Sequence, residues 1–559
     1  MTESTTDQLL WPMLADAQWE RLSALGTPET VAADTYLFRS GDADYDLILV
    51  ESGQIEVVRD ALRWVDEVVL TRMGPRTFVG ELGLLNGQGA FLSARASSSS
   101  RVRRVSRAEL RRLMNEDDEL CDLILHALWA RRESLRNGPA AMTLKFVGDP
   151  ASSDFLALRR FAERLDLVHT AVALTPDNAG YLAAHDIPTA DLPLAFIQGE
   201  PLPQATPELI AERLGLSYQA RSDEVVDLVV VGGGPAGLAA AIYGASEGLS
   251  TVLLDAVAPG GQAAATSRIE NFLGFPFGVS GGDLIGQATL QALKFGVRVY
   301  APCEAVALAP VPEARPASEG IPPPDRDARE LDVTLGDGRI IRARAVVITS
   351  GAAYRRLAVD RWSDFERAGI HYAATPLELR QVTGAPVVVV GGANSAGQAA
   401  LYLAANGCPV DLVVRGSDLG ARMSSYLVDR LMEEPRVRVH RSSNITGLDG
   451  DGALERVRID SAGDIEARGL FCFIGADPAT SWVPALDRDQ EGFLRTGTDV
   501  AVQSLQRWQS LGREPLPFET SMPRVFAAGD VRRGSMKRVA AAVGEGSSAV
   551  ASVHRALAG

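Results

Sequence analysis

The chain has 559 residues, of which 71 are acidic and 55 are basic, for a net charge of −16. A chain of this length is expected to form several domains. Its acidic balance, without a long basic run, argues against nucleic acid as a main partner. No apolar stretch is long enough to span a bilayer and the polar start MTESTTDQ lacks a signal pattern, so we expect a cytoplasmic protein without a membrane partner. The four cysteines are scattered, and they predict neither a disulfide framework nor a metal site.

Residues 1–140 are predicted to form a jelly-roll of short β-strands closed by helices. Alternating apolar residues predict β structure between Val31 and Val105. The segment 107–136 carries apolar residues at helical spacing, and this stripe is expected either to pack inside the domain or to add contacts to a dimer. The stripe consists of Leu110, Leu113, Met114, Leu120, Leu123, Ile124 and Leu128.

The stretch FVGELGLLNGQGAFLSARA at 78–96 resembles the phosphate-binding cassette of cyclic nucleotide-binding domains. The resemblance implies that Gly80 opens a short helix and that Glu81 takes a ribose hydroxyl. The arginine that clamps the cyclic phosphate in that family is replaced by Phe91, and Arg95 is the remaining candidate. Losing hydrogen bonds worth roughly 1.5–3 kcal/mol each is expected to weaken nucleotide binding by roughly two to four orders of magnitude. We therefore expect this domain to serve packing, dimerisation or another effector, with a nucleotide effector as the alternative.

Residues 141–220 are predicted to alternate strands and helices and to end in the helix TPELIAERLGL. This order resembles a glutaredoxin-like domain of the thioredoxin fold, with Pro193 at the place of the family's cis-proline. That family's active dithiol lies where the first strand meets the first helix, but here Pro150-Ala151-Ser152-Ser153 contains no cysteine. Serine cannot replace a thiolate in disulfide exchange. The domain is therefore expected to be redox-inactive and to act as a spacer or docking module, and an ordinary small α/β linker domain is the alternative.

A dinucleotide-binding pattern lies between residues 225 and 255. The apolar run Val225–Val231 predicts a buried strand that ends at a glycine-rich turn, and an Ala-rich helix and a second strand ending at Asp255 follow. Gly232 permits the tight turn, Gly234 lets the backbone approach a pyrophosphate, and Gly237 lets the helix pack against the strand. Asp255 is placed to take the ribose hydroxyls.

The segments that follow closely resemble bacterial, low-molecular-weight thioredoxin reductases, which are flavoproteins with two Rossmann-like domains. The resemblance implies an FAD domain in two parts, 221–350 and 475–559, around an NAD(P)H domain at 351–474. The proline-rich stretch 309–330 is predicted to be a hairpin insertion and not a domain boundary. The residues implied to contact FAD are Gly232, Gly234, Pro235, Ala236, Gly237, Asp255, Gly261, Gln262, Asn271, Thr349, Ser350, Gly351, Gly529, Asp530, Lys537, Arg538 and Val539.

Residues 385–415 repeat the strand, glycine-rich turn, helix and strand order, with Ala393 in place of the second glycine. The second strand ends at Arg415, and Arg422 follows seven residues later, so a cation is available for a 2′-phosphate. This favours NADPH, while NADH stays an alternative because Gly416 replaces the second arginine typical of the resembled family. The residues predicted to hold this cofactor are Gly391, Gly392, Asn394, Ser395, Arg415 and Arg422.

The dithiol of the thioredoxin reductases has no counterpart in this sequence. The resemblance aligns its C-A-T-C segment with Ala373-Ala374-Thr375-Pro376, so no catalytic residue is predicted there. We predict an FAD-dependent NAD(P)H oxidoreductase whose acceptor is a small molecule or a separate redox protein. The alternatives are a thioredoxin-disulfide reductase and a non-catalytic, flavin- or nucleotide-responsive sensor. The resemblance, which extends to bacterial fusions of a cyclic nucleotide-binding domain with such a reductase, implies a homodimer.

Overall fold

A computed structural model describes residues 9–558 except 43, 62–65, 87–88, 137–143, 166, 176–177, 179, 219–223, 265, 267–268, 270–271, 312–329, 367, 373, 375, 502–503, 505–507, 509–510 and 537. The helices are α1 (Asp16–Ala24), α2 (Gly83–Asn86), α3 (Arg107–Glu116), α4 (Asp118–Arg136), α5 (Ser153–Arg164), α6 (Tyr181–Ala184), α7 (Pro207–Arg213), α8 (Pro235–Ser246), α9 (Gly261–Ala264), α10 (Gly281–Lys294), α11 (Trp362–Phe365), α12 (Pro376–Val382), α13 (Asn394–Ala405), α14 (Ser425–Glu433) and α15 (Val539–Ala558).

The first twelve strands belong to the two N-terminal domains. They are β1 (Thr27–Val31), β2 (Tyr36–Phe38), β3 (Leu47–Ser52), β4 (Ile55–Arg59), β5 (Val68–Met73), β6 (Phe78–Val79), β7 (Ser93–Ala96), β8 (Ser100–Val105), β9 (Leu144–Gly148), β10 (Thr170–Ala173), β11 (Leu194–Ile197) and β12 (Glu200–Leu202).

The remaining strands belong to the C-terminal part of the chain. They are β13 (Val225–Val231), β14 (Thr251–Leu254), β15 (Arg298–Tyr300), β16 (Ala305–Pro310), β17 (Leu331–Leu335), β18 (Ile340–Ile348), β19 (Ala352–Tyr354), β20 (Ile370–His371), β21 (Val387–Val390), β22 (Val410–Val414), β23 (Val437–Arg441), β24 (Ile445–Asp449), β25 (Arg456–Ile459), β26 (Gly463–Glu466), β27 (Gly469–Cys472), β28 (Ala476–Pro478) and β29 (Val525–Ala527).

The N-terminal domain consists of two four-stranded antiparallel sheets and the helices that close them. The strand orders are β1-β8-β3-β6 and β2-β7-β4-β5, which confirms the predicted roll of short strands. The apolar stripe of segment 107–136 packs into the core of this domain, and its members are buried except for the partly buried Leu123. The segment forms two helices because the chain leaves helical geometry at Asp117, whose Oδ1 accepts a hydrogen bond from Leu120 N at 3.1 Å and so begins α4.

The second domain contains the sheet β10-β9-β11-β12. Strands β9 and β10 are parallel, whereas β11 is antiparallel to both β9 and β12. The alternation of strands and helices follows the predicted order, and the Leu192–Pro193 peptide bond is cis. The assignment of this domain to a glutaredoxin-like family stays a prediction.

The C-terminal part contains two parallel sheets of Rossmann type. The first has the order β15-β14-β13-β18-β17-β16, and β29 returns from the end of the chain to pair with β18. Strands β16 and β17 form an antiparallel hairpin around the predicted insertion, whose residues 312–329 lie outside the described part of the chain. The second sheet has the order β20-β27-β21-β22-β23, and the ribbon of β19 and β28 lies where the chain passes between the two units.

Helix α10 of the first Rossmann unit contributes to the hydrophobic core of the N-terminal domain. Leu293 of α10 is 4% exposed and belongs to the buried cluster of the N-terminal domain. The next residue, Lys294, places its Nζ 3.0 Å from Asp122 Oδ1 on α4. Helix α10 therefore connects the two parts through apolar contact and an ion pair. In the part of the chain that the structure describes, no helix has the length and apolar character needed to cross a bilayer.

Candidate functional site

The turn between β13 and α8 has a shape that only glycine permits at two positions. Gly232 has φ +109°, and a Cβ there would overlap the carbonyl oxygen of Thr349. A Cβ on Gly237 would overlap the carbonyl oxygen of Gly232, so this glycine lets the helix lie against the turn. Gly234 differs, because a Cβ there would meet nothing within 4 Å. The open side of the turn at Gly234 therefore suits a ligand that approaches the backbone.

The N-terminus of α8 has the chemistry of an anion site. Gly234 is the N-cap residue and offers no side-chain hydrogen bond, while Pro235 occupies the first turn. Ala236 follows and is buried. The free amide groups of a helix's first turn and its dipole both favour a phosphate. The residues present thus fit the pyrophosphate of FAD.

Asp255 organises the same turn through backbone amides. Its Oδ2 accepts a hydrogen bond from Gly233 N at 2.8 Å, and its Oδ1 accepts from Val257 N and Ala258 N, both at 2.9 Å. Each carboxylate oxygen can accept more than one hydrogen bond. A ribose could therefore still bind to Asp255, and that contact stays a prediction. The hydrogen bonds by which Asp255 connects the two loops were not apparent from the sequence.

The loop after β14 lies against the glycine-rich turn. A Cβ on Gly261 would be 3.3 Å from Gly234 Cα, so the start of α9 lies close to the glycine-rich turn. Gln262 Nε2 donates to Ala352 O at 3.3 Å and ties this loop to β19. Asn271, also predicted to contact FAD, lies outside the described residues.

The segment after β18 supports the turn from the opposite side. Thr349 is buried, and its Oγ1 donates to Val231 O at 3.0 Å and to Gly232 O at 2.8 Å. Ser350 Oγ donates to Ala479 O at 2.7 Å, and Gly351 has φ +66°. The structure thus gives Thr349 a structural contact to the turn, and a contact with the flavin stays a prediction.

The Gly529-Asp530 segment lies beside the start of α8. A Cβ on Gly529 would be 2.9 Å from Ala236 Cβ, and Gly529 N donates to Glu545 Oε2 at 2.8 Å. Glu545 also pairs with Arg532 at 2.7 Å. Sequence reasoning missed Glu545, because nothing local to α15 indicates that its carboxylate faces Gly529.

Helix α15 begins at Val539, directly after the exposed residue Arg538. Lys537 lies outside the described residues. The proposed action of this helix N-terminus on the flavin therefore stays a prediction.

The second glycine-rich turn, between β21 and α13, repeats the first in outline. Gly391 has φ +145°, and a Cβ there would overlap Phe473 O on the neighbouring strand segment. The N-cap residue Ala393 offers no side-chain hydrogen bond to the first turn of α13. Asn394 Oδ1 accepts from Ser424 N at 2.8 Å, which ties this turn to the start of α14. Ser395, next in the helix, is exposed.

A cavity of about 630 Å³ opens at this second turn. The predicted residues Gly391, Gly392, Arg415 and Arg422 all line it, and both arginines are exposed. Two exposed guanidinium groups beside a helix N-terminus fit a nucleotide that carries an additional phosphate. The cavity is also lined by residues that sequence reasoning missed, which include Arg355, Asp418, Ser443, Asn444 and Phe473.

A second cavity, of about 310 Å³, lies in the N-terminal domain. Gly80 and Glu81 line it, as does Phe91, which stands where the cyclic nucleotide-binding cassette has arginine. Arg95 does not line the cavity; its Nη2 lies 3.0 Å from Glu56 Oε2 and 2.9 Å from Glu67 Oε1. The two carboxylates compensate the charge of Arg95 away from the cavity.

Comparison with known protein families finds two that match parts of this chain. The model of the pyridine nucleotide-disulphide oxidoreductases matches residues 226–546, which is more than half of the chain. The chain belongs to this family. The model of the cyclic nucleotide-binding domain matches residues 28–117. The predicted multidomain α/β fold, with a cyclic nucleotide-binding-like domain before thioredoxin reductase-type FAD and NAD(P)H domains, is confirmed at this level.

Relatives of known sequence include thioredoxin reductases. NADPH-dependent thioredoxin reductase 3 of Arabidopsis thaliana is 30% identical over 367 residues, which are 61% of this chain and 60% of the plant protein. The thioredoxin reductase of Streptomyces clavuligerus is 30% identical over 60% of this chain and 95% of its own. Among solved structures, thioredoxin reductase of Lactococcus lactis is 23% identical, covers 60% of this chain and 99% of its own, and has a TM-score of 0.47.

As a member of the pyridine nucleotide-disulphide oxidoreductases, the chain is an NAD(P)H-dependent flavoprotein oxidoreductase of thioredoxin reductase-like type. The predicted enzyme class and the predicted FAD and NADPH cofactors agree with this membership. In the segment aligned with the dithiol of thioredoxin reductases, Ala373 lies outside the described residues and Pro376 begins α12. Cys121, Cys303, Cys408 and Cys472 are buried, free thiols.

Proposed function

We propose that this oxidoreductase passes electrons from NADPH through FAD directly to an external acceptor, without an internal dithiol relay. The observation that carries this proposal is the sequence Ala373-Ala374-Thr375-Pro376, which contains no cysteine before the second nucleotide-binding unit. The second domain supports it, because the segment 150–154 at the start of α5 also lacks cysteine. A thiol relay needs a nucleophilic sulfur, and serine or alanine cannot supply one.

The environments of Cys303, Cys408 and Cys472 argue against a substitute relay. Cys408 Sγ lies 3.3 Å from Val382 O, and Cys472 Sγ lies 3.7 Å from Arg355 O, so each thiol faces a backbone carbonyl. Burial raises the pKa of Cys303 and of Cys472 to about 11. Thiolate, the reactive form, is therefore scarce at neutral pH at both positions.

The residues of the two glycine-rich turns would bind and orient the cofactors. The N-termini of α8 and α13 would hold the two pyrophosphates, and Arg415 with Arg422 would select the 2′-phosphate of NADPH. Bound FAD supplies hydride acceptance from the nicotinamide and electron transfer to an acceptor. Such chemistry depends on positioning more than on acid–base residues, which fits the absence of a predicted proton donor.

The experiment compares the wild-type holoenzyme with a variant in which all four cysteines are replaced by alanine. Each protein is mixed anaerobically with NADPH while the flavin absorbance is followed, and menadione is then added as a quinone acceptor. We expect both proteins to bleach at the same rate and to reduce menadione equally, with Cys121→Ala alone as the matched control. Flavin that NADPH does not bleach would refute the oxidoreductase step. In a parallel assay thioredoxin replaces menadione. If the wild type reduces thioredoxin and the four-alanine variant does not, the proposal that no thiol relay operates is refuted.

The alternative function is a thioredoxin-disulfide reductase, which the relatives, themselves thioredoxin reductases, favour. A sensor without turnover is the second alternative, and very slow flavin reduction together with a partner bound in only one redox state would favour it. The family models suggest redox partners for the reductase part and a nucleotide effector for the N-terminal domain. We propose a homodimer in the cytoplasm as the working form, with a redox protein or a small molecule as the acceptor.

A further inference from the structure

The cavity of the N-terminal domain is largely apolar and plays no part in the proposed electron transfer. It lies between the β-roll, α4 and the segment that leads to β10. The apolar side chains that line it include Trp11, Phe38, Val57, Leu70, Phe91 and Leu128. A volume of about 310 Å³ with such a lining is typical of a site for a small organic molecule.

One carboxyl group, that of Glu81, interrupts the apolar lining. Its Oε2 accepts a hydrogen bond from Phe91 N at 3.0 Å, and its Oε1 accepts from Leu92 N at 2.9 Å. These bonds close the loop before β7 over the cavity. Each oxygen retains a further lone pair, so the carboxyl can accept one more O–H or N–H from a bound molecule. Burial raises the pKa of Glu81 to about 7.

Arg131 on α4 is committed to the protein itself. It is 5% exposed, and its Nε, Nη1 and Nη2 donate to Leu10 O, Gly80 O and Phe78 O at 2.9, 3.1 and 3.1 Å. Its guanidinium carbon also lies 4.5 Å from the ring centroid of Trp11 and 4.6 Å from that of Phe78. Arg131 therefore connects the N-terminal segment at Leu10 to the cassette at Phe78 and Gly80 by hydrogen bonds.

The second guanidinium at the cavity, that of Arg132, directs Nη2 toward Leu165 O of the second domain at 3.4 Å. Arg95, the remaining candidate cation, pairs with Glu56 and Glu67 away from the cavity. A cyclic phosphate would have to displace one of these contacts or lie against Phe91. The two guanidinium groups at the cavity, those of Arg131 and Arg132, already donate to backbone carbonyls, so a phosphate would have to compete with these contacts.

We propose that this cavity binds a neutral, largely apolar ring molecule that donates one O–H or N–H to Glu81, in place of a cyclic nucleotide. The apolar side chains would supply the affinity, and the single carboxyl would fix the orientation. The proposal does not depend on which molecule accepts the electrons or on whether a dithiol relay operates.

The experiment titrates the full-length holoenzyme with three probes in a calorimeter. The probes are 1-naphthol, which has two rings and one O–H, naphthalene, which lacks the O–H, and cyclic AMP. We expect one site per chain for 1-naphthol, binding roughly tenfold weaker for naphthalene because it makes no hydrogen bond to the carboxyl, and no binding of cyclic AMP.

Two variants test the location of the site. Phe91→Arg keeps the backbone N–H that Glu81 accepts and restores the cation of the cassette, so we expect it to weaken 1-naphthol binding at least roughly tenfold and to create binding of cyclic AMP. Val57→Trp fills the cavity and should abolish 1-naphthol binding without adding a cation. The control Arg112→Gln, at an exposed position on α3 outside the cavity, should leave all three titrations unchanged, and circular dichroism checks that each variant is folded.

Three results would overturn the proposal. Wild-type protein that binds cyclic AMP more tightly than 1-naphthol would assign the cavity to nucleotides. Binding of 1-naphthol that survives both Phe91→Arg and Val57→Trp would place the probe elsewhere. A wild-type protein that binds neither naphthalene nor 1-naphthol would show that the cavity serves only packing.

Discussion

His371 on β20 is a buried imidazole held in its neutral form. It is 5% exposed, its Nε2 has no hydrogen-bond partner among the described residues, and its ring centroid lies 4.8 Å from that of Phe471. Burial, and secondarily the positive charge of Arg160, lower its pKa from 6.5 to about 3. The protein can therefore tolerate this side chain only while it is uncharged.

This environment predicts an acid-labile contribution from His371. Between pH 6.5 and about 3 the unfolded chain binds a proton at this imidazole and the folded chain does not, so stability falls as the pH drops. We expect His371→Phe to remove that contribution, which amounts to at most about 1.4 kcal/mol per pH unit. Urea unfolding at several pH values measures it. His126→Gln, at an exposed position on α4, should retain the wild-type slope, and an unchanged slope in His371→Phe would contradict the prediction.

Arg415 directly follows β22 and lines the cavity at the second glycine-rich turn, where its replacement tests nucleotide selection. We expect Arg415→Ala to raise KM for NADPH roughly tenfold or more and to leave KM for NADH nearly unchanged, because only NADPH carries the 2′-phosphate. Steady-state kinetics with menadione as the acceptor measures both. Arg430→Ala, an exposed change on the neighbouring helix α14, is the control. An equal rise in KM for NADPH and NADH would show that Arg415 does not bind the 2′-phosphate.

At the scale of elements, the contact between α8 and the turn before it depends on glycine. A Cβ on Gly237 would overlap Gly232 O, and a Cβ on Gly546 of α15 would overlap Ala236 O. Helix α8 therefore packs backbone to backbone against the turn that follows β13 and against α15, which leaves the open side of the turn at Gly234 as the approach for a ligand. This packing is what positions the FAD site.

We expect Gly237→Ala to reduce the flavin content of the purified protein severely, because the helix must move away from the turn that receives the pyrophosphate. The ratio of flavin to protein absorbance measures it, with added FAD as a rescue. Gly544→Ala is the matched control: Gly544 lies on α15, a Cβ there meets nothing within 4 Å, and alanine favours a helix over glycine by up to about 1 kcal/mol. A Gly237→Ala protein with full flavin content would contradict the expectation.

At the scale of the whole molecule, α10 connects the N-terminal domain to the FAD unit. Leu293, near its C-terminus, lies in the core of the N-terminal domain. Gly281, its first residue, lies against α9, because a Cβ on Gly281 would overlap Ala263 O. The second domain is joined to the NAD(P)H unit as well, because Arg160 Nη2 donates to Gln381 Oε1 on α12 at 3.1 Å. The N-terminal domains therefore contact both nucleotide-binding units.

We expect Leu293→Ala to uncouple the N-terminal domain from the FAD unit, because it removes a buried side chain that α10 contributes to the core of the N-terminal domain, at a cost of about 2–5 kcal/mol. Scanning calorimetry should then show an N-terminal transition at a lower temperature than in the wild type, while the transition of the flavin-containing part moves less. Leu209→Ala, at a position 42% exposed on α7, is the control. A single transition at the wild-type temperature would show that the two parts do not depend on this contact.

The sequence by itself determined the two glycine-rich turns, the strand–helix order around them and the lack of a dithiol at 373–376, because these features are local. Gly232, Gly237 and Gly391 are needed for steric reasons that act within a few residues or against the adjacent strand. Only the tertiary structure decided where charged side chains far apart in the chain find their partners. Glu545 binds Gly529 N, and Arg131 binds the carbonyls of Phe78 and Gly80. Compensation of a buried charge depends on which distant groups surround it, and a sequence pattern does not specify that surrounding.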